Sequence, residues 1–435
     1  MTEQGPQLTA LLGVIDRPQA AALEAALAGR SLSVDEAMPL VDAEGVALHA
    51  LAMTADVLRQ RQVGDVVTYV VNRNINFTNI CIKHCGFCAF SRLHRSEEGY
   101  FLDTEEIVRR ATEAHALGAT EVCIQAGLPP GLDGDHYIDL CRALKAALPS
   151  IHIHAFSPEE VIYGALRSRR PIAEYLVRLR EAGLDSLPGT SAEILDDAIR
   201  EVIAKGRIST QQWVEVITTA HKLGIRTTST MMYGHIESGA DQLRHMAVLR
   251  SIQEETGGFT EFVPLSFVYA ETPMHLRQSA PGLRRGPSAN EIIRTHALAR
   301  VFLGASFRNI QASWVKDGLK LGQWLLSCGV NDLGGTLINE SISTSAGAGH
   351  GQFVGPAALR RAIRGAGRIP AERSTLYELR KVFERPEDEV EGPLDRIDDA
   401  DGAFGTYRAL TRSSEHRFIM PRRRRGADSE RAEEV

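Results

Sequence analysis

Residues 66–88 read Val66-Val-Thr-Tyr-Val-Val-Asn72-Arg-Asn-Ile-Asn-Phe-Thr-Asn-Ile80-Cys81-Ile-Lys-His-Cys85-Gly-Phe-Cys88. The first seven are rich in β-branched and aromatic residues, as a strand requires. Three thiols follow within one short loop, with a glycine at 86 and an aromatic at 87. Such a loop can wrap one face of a small metal centre. Three thiolates on a four-iron cubane leave one iron free of protein, and an open position is where a substrate or cofactor binds. Zinc is the competing reading: it takes four ligands, and His84 or a distant histidine could complete the set.

Outward from this loop one unit recurs: a capped helix, a glycine stop and a short apolar strand. Asp103 with Glu106 opens a helix that stops at Gly118, before Glu121-Val-Cys-Ile-Gln-Ala126. Ser157-Pro-Glu-Glu160 is a capping box with proline in the first turn. Another helix ends at Gly183 before Leu184–Gly189, and Ser209 with Gln212 opens one that ends at Gly224, before a strand at 225–232. Further strands are expected at 259–264, 307–312 and 329–332, with helices at 288–304 and 314–326 between them. Alternating strands and helices imply an α/β fold with parallel pairing. About eight units between residues 66 and 375 predict a closed (β/α)8 TIM-type barrel, with an open doubly wound sheet as the alternative. In a barrel the loops after the strands share one rim and carry the chemistry. The cysteine loop follows the first strand. Residues 1–65 are expected to form a helical N-terminal extension and 66–375 the barrel. Residues 376–435 are expected to be a C-terminal extension, partly disordered, whose acidic stretches near 387–391 and 395–401 and basic Arg422–Arg425 read as a solvated tail.

With 43% hydrophobic and 24% charged residues among 435, the composition is that of an ordinary globular protein. A net charge of −6 gives no reason to expect nucleic acid or an anionic membrane as partner. No apolar run approaches the ~18 residues of a membrane span. The start, Met1-Thr-Glu-Gln-Gly-Pro6, lacks a secretory pattern. Three of six cysteines are clustered, while Cys123, Cys141 and Cys328 are isolated and read as packing residues. That is no disulfide framework, and the expected compartment is the reducing cytoplasm.

The Cys-x3-Cys-x-aromatic-Cys spacing resembles the signature of radical S-adenosylmethionine (SAM) enzymes. Asn74–Ser91 resembles the branch acting on tyrosine or on futalosine-type molecules. Leu187–Ile194, Thr230–Glu237, Gly257–Phe267, Asn309–Lys316 and Asn331–Ser341 are similar to the tyrosine 4-hydroxybenzyl transferase family of FO (deazaflavin precursor) synthesis. The likeness spans roughly residues 45–375.

This resemblance implies that Cys81, Cys85 and Cys88 hold a [4Fe-4S] cluster whose free iron takes SAM, with an external reducing electron donor. Phe87 stands where such enzymes contact the adenine. Gln125 and Gly127 replace the usual Gly-Gly-Glu, whose backbone receives the SAM amino group. Ser157 could touch SAM or simply cap its helix, and Glu193 could hold the ribose hydroxyls or sit in a helix first turn. His235 and Glu237, after the fifth strand, are the candidate catalytic pair, as proton acceptor or substrate partner. Arg73 and Asn74 could orient bound groups or brace the backbone, and Trp314, Lys316, Asn331 and Asp332 lie where a second substrate would bind. The implied substrates are L-tyrosine and 5-amino-6-(D-ribitylamino)uracil, and a companion radical SAM subunit of FO synthase would close the deazaflavin ring. Two alternatives remain: an aminofutalosine synthase or futalosine cyclase of menaquinone synthesis, and a non-catalytic iron–sulfur or zinc protein.

Overall fold

The strand expected at residue 66 forms as two pieces, Val66–Val70 and Asn72–Ile75, in a computed structural model that describes residues 5–420. The pieces pair differently. Asn72–Ile75 opens a parallel sheet that continues through Glu121–Ile124, His152–Ala155, Ser186–Leu187, Arg226–Tyr233 and Phe259–Ser266. Val66–Val70 lies parallel to Asp332–Gly335. Between the sixth strand and Asp332, Ile310 bridges Phe262 and Gln311 bridges Asp332. Arg73 also bridges Ile338. Eight parallel strands therefore close a barrel, the seventh reduced to two residues.

The helix starts are those that local chemistry dictates. Asp103 accepts from the Glu106 amide, and Ser157, Ser209 and Ser288 each close a capping box with the residue three places on. Each such cap stabilises its helix by about 1 kcal/mol. The helix expected over 314–326 is broken: Gly318, at φ 80°, separates Trp314–Asp317 from Leu319–Leu325.

Residues 5–63 are mostly helical. The longest of these helices, Gly45–Val63, packs on Ala289–Leu303 of the barrel's outer layer. Arg250 and Arg294 of that layer donate to the carbonyls of Leu32 and Ala43.

Residues beyond 375 depart from the expected solvated tail. Ile369–Arg373 and Leu379–Val382 form a hairpin whose first strand runs parallel to Val66–Tyr69. Its turn enters the barrel floor. There Arg373 donates to Asp332 at 2.5 and 3.0 Å, Thr375 Oγ1 to Glu121 at 2.7 Å, and the Tyr377 hydroxyl to Glu261. Charges so deep persist only when paired, which fixes the hairpin in place. Within the acidic stretches Glu387, Glu391, Asp398, Asp399 and Asp401 are exposed as expected, but two carboxylates are met by arginines of the helix Pro356–Gly365. Glu389 pairs with Arg360 at 3.2 Å and Arg364 at 2.6 Å, and Asp395 with Arg360 at 3.1 Å.

The chain then returns to the cysteine loop. The Tyr407 ring lies 5.4 Å from that of Phe90, and its hydroxyl donates to the Phe90 carbonyl at 3.2 Å. Phe101 N donates to His416 O at 2.8 Å and Phe418 N to Gly99 O at 2.9 Å. Arg422–Arg425 lie outside the described residues.

Candidate active site

A cavity of about 400 Å³ runs through the barrel from its floor, at Glu121, Glu261, Arg373 and Thr375, to the rim. Cys81, Cys85 and Cys88 line it together with Phe87. Backbone bonds pin their loop from several sides: Cys81 N to Arg92 O, Ile82 N to Leu128 O, Gly86 N to Ile203 O, and Met274 N to Gly86 O, at 2.8–3.1 Å. His84 is exposed and absent from the lining. Among the described residues no three metal-ligating side chains converge as on a single ion. Burial raises the Cys81 thiol and pushes Cys85 up to about 12. A coordinated metal reverses this, since a ligating thiol is deprotonated outright.

Beside the thiols stands Arg207, which no motif had marked. Its guanidinium donates to Glu159 at 3.1 Å, to Glu193 at 2.6 Å and to Ser191 Oγ, and lies 5.7 Å from the Phe87 ring centroid. Burial works against its charge, but Glu193, Cys85 and Glu159 outweigh that and hold its pKa well above the ordinary value. Glu159 shows the converse. Burial would raise it, yet Arg207, the Ile208 amide and Lys83 keep it below the usual carboxylate range.

Glu193 points one carboxylate oxygen at Arg207 and leaves the other, Oε2, buried without a partner. Ser191 and Glu193 both adopt left-handed backbone, φ 66° and 42°. A non-glycine residue there carries strain, which persists where surrounding structure fixes it, commonly at ligand sites. Glu193 also lines the cavity.

The other expected contacts differ in kind. Gln125 lines the cavity, but its Oε1 accepts from Thr190 at 2.9 Å. The Gly127 amide donates to Thr78 O at 2.9 Å, and a Cβ on Gly127 would stand 2.3 Å from the Ile80 carbonyl oxygen. That glycine is thus needed for close approach to the cysteine loop. Ser157 caps its helix and donates to Glu160 at 2.7 Å. Glu160 also accepts from the Ala126 amide at 3.0 Å, and burial pushes it up to about 7.

His235 and Glu237 are not at the cavity wall, contrary to expectation. His235 is fully buried, with Nε2 donating to Met232 O at 3.0 Å and Nδ1 accepting from Ile236 N at 2.7 Å. Glu237 accepts from the amides of Gly234 and His235, from Gln242 and from Arg284, at 2.7–3.0 Å. All these polar atoms are engaged in fixing the turn after the fifth strand. Arg73 is likewise a brace, bonded to Arg110 O, Glu113 and Asn339. Asn74 lines the cavity, with its buried Oδ1 unpartnered.

Of the four late residues, Trp314, Asn331 and Asp332 are tied into the framework by Gly335 O, Arg300 and Arg373. Lys316 lines the cavity. So does Cys123, which had been read as a packing residue.

The residues present fit a [4Fe-4S] cluster with SAM. Three thiols from one loop line one cavity, the donor set that such a cluster takes. The unpartnered Glu193 Oε2 is an acceptor suited to ribose hydroxyls, and Phe87 offers an aromatic face.

Comparison with known proteins agrees. A sequence model of the radical SAM superfamily matches residues 75–249, and one of the CofH/MqnC C-terminal region matches 256–386. Together they take in all of the cavity lining except Val70, Asn72 and Asn74. The chain is 50% identical to FO synthase of Mycobacterium leprae over 80% of this chain and 40% of that protein. It thus spans about two fifths of the length of such relatives. A relative of near-equal length is the 5-amino-6-(D-ribitylamino)uracil–L-tyrosine 4-hydroxyphenyl transferase of Methanothermobacter thermautotrophicus, 49% identical over 80% of this chain and 94% of the relative. That of Methanocaldococcus jannaschii is 48% identical over 80% and 97%. Among solved structures, methylornithine synthase (PylB) shares the fold, with a TM-score of 0.64 at 18% identity over 80% of this chain and 97% of that one. By its sequence along nearly the whole of those archaeal relatives, the chain belongs to the radical SAM superfamily and, within it, to the family of 5-amino-6-(D-ribitylamino)uracil–L-tyrosine 4-hydroxyphenyl transferases.

Proposed function

We propose that this protein transfers the 4-hydroxybenzyl group of L-tyrosine to 5-amino-6-(D-ribitylamino)uracil. The products are 5-amino-5-(4-hydroxybenzyl)-6-(D-ribitylimino)-5,6-dihydrouracil, 2-iminoacetate, methionine and 5′-deoxyadenosine. The observation that carries this reading is the 49% identity that extends over 94% of a relative bearing this activity in its name.

Cys81, Cys85 and Cys88 hold the cluster in this reading, while Phe87 and Glu193 receive the adenine and ribose of SAM. When bound and reduced, these cofactors supply the hydrogen-abstracting radical chemistry. The chain's own residues do the rest. Arg207 and Lys83 together balance Glu159 and Glu193, so that Glu193 can accept from a neutral sugar without an uncompensated buried charge. Val263, Leu265, Phe267 and Leu337 contribute an apolar wall that keeps water from the reacting groups. His235 and Glu237 hold the turn after the fifth strand and have no free polar atom for proton transfer.

A reducing electron donor is required. A companion radical SAM enzyme then closes the ring of the adduct to give FO. Among the described residues all six cysteines are free, and no helix is long and apolar enough to cross a membrane. Free thiols at an oxygen-sensitive centre favour a reducing compartment, and the cytoplasm is the one this reading assigns.

The test is an anaerobic assay of iron–sulfur-reconstituted protein with SAM and reductant, adding tyrosine and the ribitylaminouracil singly and together. Expected are 5′-deoxyadenosine and, with both substrates, the hydroxybenzyl adduct by mass. SAM cleavage without the adduct would remove the transferase assignment, and well-folded protein with neither iron–sulfur absorbance nor SAM cleavage would remove the radical chemistry as well.

A further inference from the structure

Lys316 reaches the cavity from the short helix after the seventh strand. Among the described residues its ammonium has no hydrogen-bond or ion-pair partner; only the fields of Glu340 and Asp317 favour its charge, against burial. Glu340 lines the same cavity from the segment after the eighth strand. Its carboxylate is held by the amides of Ser343 at 2.9 and 3.1 Å and Thr344 at 3.3 Å. The two opposite charges thus share one cavity wall, and among the described residues they form no ion pair with each other. A half-buried cation and a buried anion at one cavity wall are costly unless something completes them.

The seventh strand stands four places round the barrel from the third, whose following loop carries Glu159 beside Arg207. Round the barrel Lys316 therefore stands opposite Glu159, the carboxylate that braces Arg207. We propose that Lys316 and Glu340 form the seat of an α-amino acid zwitterion, with Lys316 Nζ taking the carboxylate of tyrosine and Glu340 its ammonium. This rests on the transferase reading and specifies where its amino acid binds. The charge pattern selects among ligands. A phosphate would meet repulsion from Glu340, and a neutral ribitylaminouracil needs neither charge, whereas a zwitterion satisfies both.

Binding to reconstituted holoenzyme with SAM, measured anaerobically by calorimetry, tests the seat. The titrants are L-tyrosine, tyramine, which lacks the carboxylate, and 3-(4-hydroxyphenyl)propanoate, which lacks the ammonium. Wild type is expected to prefer tyrosine to tyramine by at least thirtyfold. Lys316→Met should reduce that ratio below threefold by weakening tyrosine alone, and Lys316→Arg should restore most of it. Glu340→Gln should collapse the preference for tyrosine over the propanoate in the same way. SAM and the ribitylaminouracil should bind each folded variant as they bind wild type.

An unchanged tyrosine-to-tyramine ratio in Lys316→Met overturns the seat while leaving the transferase standing. So does a wild-type ratio below threefold, which needs no variant to fold. Wild type that binds SAM and the uracil but no tyrosine overturns the seat and the transferase together.

Discussion

Arg207 joins Phe87, Glu159, Ser191 and Glu193, which follow three different strands and lie up to 120 positions from it in sequence. Replacing it with methionine leaves Glu193 without its counter-charge and Glu159 with Lys83 alone, at 3.2 Å, and breaking such a buried pair costs about 3–5 kcal/mol. Denaturant unfolding should show that loss. Arg207→Lys should recover less than half, because an ammonium cannot fork between carboxylates as a guanidinium does. Glu160 gives a pH-dependent prediction. Its carboxyl rises from 4.5 to about 7 on folding, so over that range the native state keeps a proton that the unfolded chain has lost. This contribution to stability therefore falls as pH rises from 4.5 to about 7 and is constant above. Glu160→Gln cannot titrate, and its stability relative to wild type should be greater at pH 8 than at pH 5 in urea unfolding. The cysteines were legible because their spacing is local. Arg207 was not, since nothing in its neighbourhood announces which carboxylates the fold will bring to it. His235 and Glu237 misled for a related reason: a rim position is visible in sequence, but the backbone amides that consume their polar atoms are not.

The segment Ala400–Ile419 acts as a clasp on residues 90–101, which follow the cysteine loop, through Tyr407, His416 and Phe418. Tyr407→Ala removes the ring against Phe90 and Tyr100 and the bond to Phe90 O. Large-to-small changes of this type cost about 3 kcal/mol where the site is well packed. Here the loss should appear as local opening. Trypsin should cut after Arg92 and Arg95 at least tenfold faster in Tyr407→Ala, with the remaining sites unaffected. Such a clasp escapes sequence reading because its composition is that of a tail. The segment before it is likewise held at Glu389 and Asp395 by Arg360 and Arg364, which are remote in sequence. The helices were the reverse case, because Ser157, Ser209 and Ser288 announce themselves within four residues. The alternation of capped helix and apolar strand was sufficient for the barrel. The seventh strand's reduction to two residues and the hairpin in the floor depend on pairings remote in sequence.

Taken whole, the molecule is a barrel with a helical layer at one flank and a strand from far along the chain at its floor. Leu23, Leu32, Leu40 and Leu51 of the N-terminal helices are buried in the same core as the barrel. Deleting residues 1–44 uncovers that face at about 25 cal/mol per Å² of apolar surface. The truncated protein should be recovered in the insoluble fraction, whereas full-length protein made in parallel remains in the supernatant.

The floor strand also bears on synthesis. Val66 pairs with Ile369, which leaves the ribosome about 300 residues later, roughly 15–60 s at 5–20 residues per second. Until then one edge of the first strand has no neighbour, and the clasp on residues 90–101, just after the thiols, arrives later still. The nascent chain thus presents Cys81, Cys85 and Cys88 in an unlatched loop for most of its translation. Any machinery that loads iron and sulfide would find its easiest access during that interval, before the last fifty residues emerge.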